Sequence, residues 1–152
     1  MNKSIIIALT CLGIIAAARV LMLVSTLLVT GIINIQYFIP TVLVVLGLVG
    51  IATGYRLAWQ WARMLGLLGA VLFLLFTFVL IPQIGIKPLA LFACIVSAVQ
   101  ALLLFVMYFA LGTIGAREHF NVLCSDCGKT KVKGGDFLFS KVICCKCNKE
   151  WS

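Results

Sequence analysis

Between positions 4 and 116 this chain carries four charged side chains, Arg19, Arg56, Arg63 and Lys87, and not one carboxylate. A water-soluble fold needs a polar coat, and so long a stretch with so few charges cannot make one. Hydrophobic residues make up 64% of the sequence, well above the roughly half of ordinary soluble domains. The excess places this region in lipid. All four acids, Glu118, Asp126, Asp136 and Glu150, follow position 117, as does the sole histidine, His119. That break divides the chain into a transmembrane region over 1–117 and a cytoplasmic module over 118–152.

A bilayer core of ~30 Å takes about 20 helical residues. Four stretches qualify, at about 4–29, 38–56, 62–81 and 88–112. The first has a Lys3 flank and Ala16, Ala17 and Ala18 where a signal peptide would be cut, but its apolar run continues past Arg19 to Val29, so an uncleaved helix is expected. A weakly polar segment, 31–37, precedes Pro40, which suits the opening turn of the second helix. The 55–63 segment combines Arg56 and Arg63 with Tyr55, Trp59 and Trp61, an interfacial pattern, and Pro82 and Pro88 bracket a turn before the fourth stretch. With the N-terminus inside, Lys3, Arg56, Arg63, Arg117 and the tail lysines all face the cytoplasm and only Lys87 faces out. Both termini are then cytoplasmic. The net charge of +8 is thus explained in large part by orientation in the membrane rather than by nucleic acid. Small residues recur four apart (Gly50 and Gly54; Ala62, Gly66 and Ala70; Ala93, Ser97 and Ala101), a spacing that lets helix backbones approach, within the chain in preference to between chains.

The tail holds the strongest motif. Cys124 and Cys127, then Cys144 and Cys147, form two C-x2-C pairs sixteen residues apart, the spacing of a four-thiolate metal site. Gly128 and Asn148 follow the pairs, the residue types that most readily take a left-handed backbone. Short alternating strands are expected over 129–133 and 137–143, around a turn at Gly134, Gly135 and Asp136. Residues 124–149 resemble a zinc ribbon, departing from it by having Asn148 where the second knuckle would carry glycine. The expected fold is therefore an all-α membrane bundle of about four transmembrane helices with a small C-terminal zinc-ribbon β-hairpin.

Disulfides are the competing use of these thiols, but a reducing cytoplasm disfavours them. A segment this short also lacks the apolar core to fold unaided, and a metal would supply the missing stability. Zinc is the expected ion and iron the alternative, because rubredoxins also use paired C-x2-C knuckles; their loop is longer, and the aromatic residue after the first knuckle is absent here. Cys145 is a spectator, and Cys11 and Cys94 are small apolar residues within spans. His119 is weighed as a further ligand and assigned to the membrane interface instead. Residues 124–152 hold six lysines against three acids, and four thiolates on a divalent ion lower that surplus to about +1. Lys129, Lys131 and Lys133 are then better read as a solvated edge strand than as a nucleic-acid surface.

Arg19 is the one charge near the middle of a span, where it costs on the order of 2.5–3.5 kcal/mol. Three arrangements would relieve it. It could snorkel, be solvated by Gln100, Ser25 or Thr26, or meet an acid of a membrane-protein partner or a lipid phosphate.

General acid–base catalysis needs positioned titratable groups, and cation-coupled transport usually needs intramembrane carboxylates; neither occurs in the spans. A closed four-thiolate site also leaves no position open for water. The expected function is a non-enzymatic accessory or scaffold subunit, with a membrane-anchored redox or metal-sensing protein as the alternative. The whole chain loosely resembles small four-span prokaryotic membrane proteins through Trp61, Ala62 and Arg63 at the entry to the third span, which implies a prokaryotic inner membrane and names no activity.

Overall fold

The computed structural model describes residues 2–32, 35–83, 90–128, 132–134 and 141–151. Four long helices come first: α1 (Lys3–Thr30), α2 (Ile35–Ala52), α3 (Arg56–Leu80) and α4 (Ala90–Gly112). A short α5 (Ile114–His119) leads into strands β1 (Val132–Gly134), β2 (Val142–Cys144) and β3 (Glu150–Trp151). Among the described residues α1, α3 and α4 are each long and apolar enough to cross a membrane, and α2 contributes a shorter apolar stretch over Phe38–Ala52.

Local chemistry fixes the helix ends. The Asn2 side chain accepts the Ser4 N–H at 3.2 Å to cap α1, and Gly31 closes that helix in the left-handed region at φ 67°. Helix α2 starts earlier than its hydropathy suggests, so Pro40 lies beyond the first turn, where it forgoes one backbone hydrogen bond. The expected interfacial segment at 55–63 is helical from Arg56 onward. Helical hydrogen bonding is indifferent to whether a side chain is polar, so α3 propagates through the charged and aromatic residues. Only 53–55 separate α2 from α3. Gly54 makes that turn possible, with φ 73° and with the Tyr55 N–H donating to the Gly50 carbonyl at 2.9 Å. A Cβ there would also lie 3.3 Å from the His119 carbonyl oxygen.

The small residues pack within the chain. Gly50 lies against Ala58, Gly66 against the Met107 side chain and Gly69 against Leu104, while Ala70, Ser97 and Ala101 are buried. Much of the outer surface is apolar: Leu28 is 80% exposed and Phe109 68%, as suits a wall facing lipid.

One buried cluster gathers Ile5, Ala8, Cys11 and Leu12 of α1 with Ile51, Trp59, Met107, Leu111 and Ala116, then runs on through Phe120 and Val122 to Val142 of β2. The starts of α1 and α3, the ends of α2 and α4, and the tail module therefore share one end of the bundle. Asn2 packs directly on Gly115 of α5. The proline-flanked turn with Lys87 falls largely at 84–89, outside the described residues.

Candidate metal centre

Thr113 begins the path to the site. Its hydroxyl donates to the Ala110 carbonyl at 2.9 Å and accepts the Ala116 N–H at 3.3 Å, joining the end of α4 to the start of α5. Asn121 then turns left-handed at φ 51°, and the Val122 N–H reaches back to the Arg117 carbonyl at 2.9 Å. This reversal sends Val122 into the core and brings Cys124 to the foot of the sheet.

The sheet is antiparallel in the order β1-β2-β3, with Val132 opposite Cys144 and Gly134 opposite Val142. Gly134 thus ends a strand rather than opening the turn, and the expected turn residues Gly135 and Asp136 lie outside the described residues. The third strand was not anticipated, because Glu150 and Trp151 are too short a run to show alternation. It pairs Ile143 with Glu150 and Val142 with Trp151, and the Trp151 indole donates to the Asn121 carbonyl at 2.9 Å.

Each C-x2-C pair bends into a tight knuckle. The Gly128 N–H donates to the Cys124 carbonyl at 2.9 Å and the Asn148 N–H to the Cys144 carbonyl at 3.0 Å. Both closing residues are left-handed, at φ 61° and 55°. The knuckles bring the sulfurs of Cys124, Cys127, Cys144 and Cys147 within 4.8 Å of one another. Cys124 and Cys147 are 3.5 Å apart, Cys127 and Cys144 3.5 Å, and Cys127 and Cys147 3.9 Å. Four thiolates at ~2.3 Å from a tetrahedral ion would be separated by about 3.8 Å. The donor set therefore fits a thiophilic metal ion held by four sulfurs, and all seven cysteines are free thiols.

Backbone amides prepare the sulfurs for ionisation. The N–H groups of Cys127 and Asp126 lower the Cys124 pKa, outweighing burial. Those of Cys147 and Lys146 pull the Cys144 thiol down to about 6. At Cys147 the Lys149 N–H also favours the thiolate, but hydrogen bonds to the Cys144 and Cys124 sulfurs outweigh it and push the thiol up to about 12. The Cys124 and Cys144 thiols are thus more acidic than ordinary thiols and the Cys147 thiol is less so. Lys149 ties the knuckles together through a 2.6 Å ion pair with Asp126, whose carboxyl it holds below the usual carboxylate range.

The remaining candidates lie apart from these sulfurs. Cys145 is exposed and outside the cluster. The His119 ring stands edge-on to Phe120 and faces the Ile51 carbonyl at 3.4 Å. Lys133 is exposed on β1, while Lys129 and Lys131 lie outside the described residues. Arg19 is half-buried, its guanidinium carbon 5.6 Å from the centre of the Phe73 ring on α3. Of the residues proposed to solvate it, Ser25 and Thr26 donate to the Met22 carbonyl of their own helix, and Gln100 is buried on α4.

A second group of polar side chains gathers at the end of the helices next to the tail module. Trp59 donates to the Leu111 carbonyl, and the guanidinium carbons of Arg63 and Arg117 lie 5.2 and 5.6 Å from its ring. Arg117 Nε donates to the Gly112 carbonyl at 3.1 Å, and Arg56 Nε to that of Phe120 at 3.3 Å. The sequence signal is the placement of Trp59 and Arg63 one helical turn apart, on one face of α3; the interfacial pattern of 55–63 does not by itself reveal that this segment is helical. Comparison of the chain with family models, curated proteins and solved structures finds no match.

Proposed function

We propose that this chain is a four-span membrane protein without catalytic activity, an accessory or scaffold subunit whose cytoplasmic zinc-ribbon module mediates its interactions. Helix α2 supports the fourth crossing: 18 residues span about 27 Å, close to the hydrocarbon thickness. So does the gathering of the first residues, the α2–α3 turn and the tail module at one end of the bundle, since an even number of crossings returns the chain to its starting side. Lys3, Arg56, Arg63 and Arg117 all belong to that end, which favours the cytoplasm.

The four-sulfur cluster carries the functional proposal. A site filled by four cysteines offers a substrate no open coordination position, so its metal orders the module rather than performing hydrolysis. Packed through Val142 and Phe120 onto the helices, the ordered module presents a fixed surface at the membrane face.

Purification from membranes with metal analysis and mass spectrometry of accompanying proteins tests this. One zinc per chain, no colour and a companion protein lost when the cysteines are replaced are expected. A companion retained without the metal would overturn the scaffold role. A rubredoxin-like iron centre draws support from the exposed Cys147, through which an electron could leave; a red protein with a reversible potential would establish that alternative.

A further inference from the structure

Arg19 lies midway along its apolar helix, and the fold gives it a ring but no acceptor. Its guanidinium carbon stands 5.6 Å from the centre of the Phe73 ring. Among the described residues it makes no hydrogen bond or ion pair. A ring face answers the charge, but the in-plane N–H donors stay unmet, which is costly in apolar surroundings.

Depth keeps the membrane surface away from this group. Phe73 follows the interfacial Arg63 by ten residues, about 15 Å into a hydrocarbon core of about 30 Å. Arg19 is also closer to the Thr30 end of α1 than to the Lys3 end. Helical side chains lean toward the N-terminus of their helix, so this one turns away from its nearer end. A lipid phosphate would have to leave the headgroup layer to meet it.

The packing leaves room for another occupant. Helices α1 and α3 each pack on α4 but make no close backbone approach to one another among the described residues, so Arg19 bridges the gap between them. Buried residues stop at Ala16 on α1 and at Ala70 on α3; beyond these no described side chain of either helix is buried. Leu21, Leu28, Phe76 and Phe78 are exposed there. Helix α2 packs on α1 and meets α3 far less, with the close approach of Gly50 to Ala58 at their connecting turn.

We propose that this half of the bundle, remote from the tail module, docks a transmembrane helix of another protein whose carboxylate pairs with Arg19 at mid-membrane. The charge selects the occupant. No carboxylate occurs between positions 4 and 116, so the spans of a second copy of this chain would bring only further cations. A carboxylate on a foreign helix accepts two parallel N–H bonds from the guanidinium, which the Phe73 ring cannot do. Intramembrane charges pair in this way when their partner lies within the bilayer. The proposal names the partner chemistry of the accessory role given above and rests on that reading.

The test uses the full chain in phosphatidylcholine vesicles with dansyl-labelled leucine–alanine transmembrane peptides carrying one central Glu, Gln or Leu. Energy transfer from the protein's tryptophans reads association. The Glu peptide should bind about tenfold more tightly than the Leu peptide, and Arg19→Leu should lose that preference. Equal binding of the Glu and Gln peptides, or a preference that survives Arg19→Leu, overturns the pairing. The comparison of peptides on the wild type needs no variant, so it decides even if Arg19→Leu fails to fold. Loss of the Glu preference when phosphatidylglycerol replaces part of the phosphatidylcholine would give Arg19 to a lipid phosphate and overturn the proposal. Self-association of the wild type that Arg19→Leu abolishes would give the face to a second copy and overturn it equally. A companion protein that depends on the tail cysteines, beside a wild type indifferent to the Glu peptide, would keep the accessory role and remove this docking site alone.

Discussion

The indole N–H of Trp59 donates to the carbonyl of Leu111 at 2.9 Å, joining the first turns of α3 to the last turn of α4. Both residues are buried. Leu111 belongs to the final turn of its helix, where carbonyls have no intrahelical donor, so the indole meets an otherwise orphaned acceptor. Trp59→Phe keeps an aromatic ring for Arg63 and Arg117 but strands that carbonyl, and should cost about 1–3 kcal/mol. Denaturation in detergent micelles measures it; unchanged stability would mean that water replaces the indole.

The four-sulfur cluster predicts a sharp division among the tail cysteines. Cys144→Ser and Cys124→Ser each remove a buried sulfur of the cluster and should abolish stoichiometric metal binding. Cys145→Ser should retain one ion per chain, because its exposed thiol stands outside the cluster. Cobalt loading offers a direct readout through thiolate-to-metal absorption. Loss of that band in Cys145→Ser would reassign the second knuckle.

Proton release on metal binding should follow the uneven thiol acidities. Cys144, with its pKa depressed from 9.0 to about 6, favours the metal-free fold above the ordinary thiol range, and that contribution fades as pH falls through 6. Cys147, raised from 9.0 to about 12, acts oppositely: its contribution is complete below 9 and fades as pH rises towards 12. A metal requires the Cys147 proton to leave. At neutral pH each ion bound should therefore release at least one proton, and affinity should fall on acidification, steepening near pH 6. Calorimetry in two buffers of different ionisation enthalpy counts the protons; none released would contradict the assignment of Cys147.

Much of this was legible in the residues because the relevant physics is local. The apolar runs disclose the helices, and Gly128 and Asn148 announce the left-handed knuckles that their φ angles display. What was hidden depends on partners distant along the chain. Nothing near Trp59 reveals that its donor ends on Leu111, and nothing near Asn2 reveals that it rests on Gly115. Helix α3 was expected to start late because hydropathy was read where backbone hydrogen bonding decides. β3 exists only because β2 offers an edge for Glu150 and Trp151 to pair with.

Two glycines on one helix should respond differently to the same change. A Cβ on Gly50 would collide with the Ala58 Cβ, so Gly50→Ala must push α2 away from α3 and should cost roughly 1–3 kcal/mol. At Gly47 the nearest atom to a new Cβ is the Leu12 Cδ2 at 3.8 Å, an ordinary contact. Gly47→Ala should be neutral or stabilising, since alanine favours helix by up to about 1 kcal/mol. Equal behaviour of the two variants in a denaturation series would show that the α2–α3 contact is not held by this close approach.

Arg19 separates an internal role from an external one. The Phe73 face offers its charge up to about 2 kcal/mol in a desolvated setting, but a ring accepts none of the in-plane N–H bonds. A partner acid or lipid phosphate would accept them. Arg19→Leu removes a charge that costs on the order of 2.5–3.5 kcal/mol at mid-span, so insertion should be unimpaired or improved. If the guanidinium docks a partner, the same variant should lose the companion protein from gentle purification while Phe73→Leu keeps it. Retention of every companion in Arg19→Leu would leave the arginine to Phe73 and the polar groups of its own bundle.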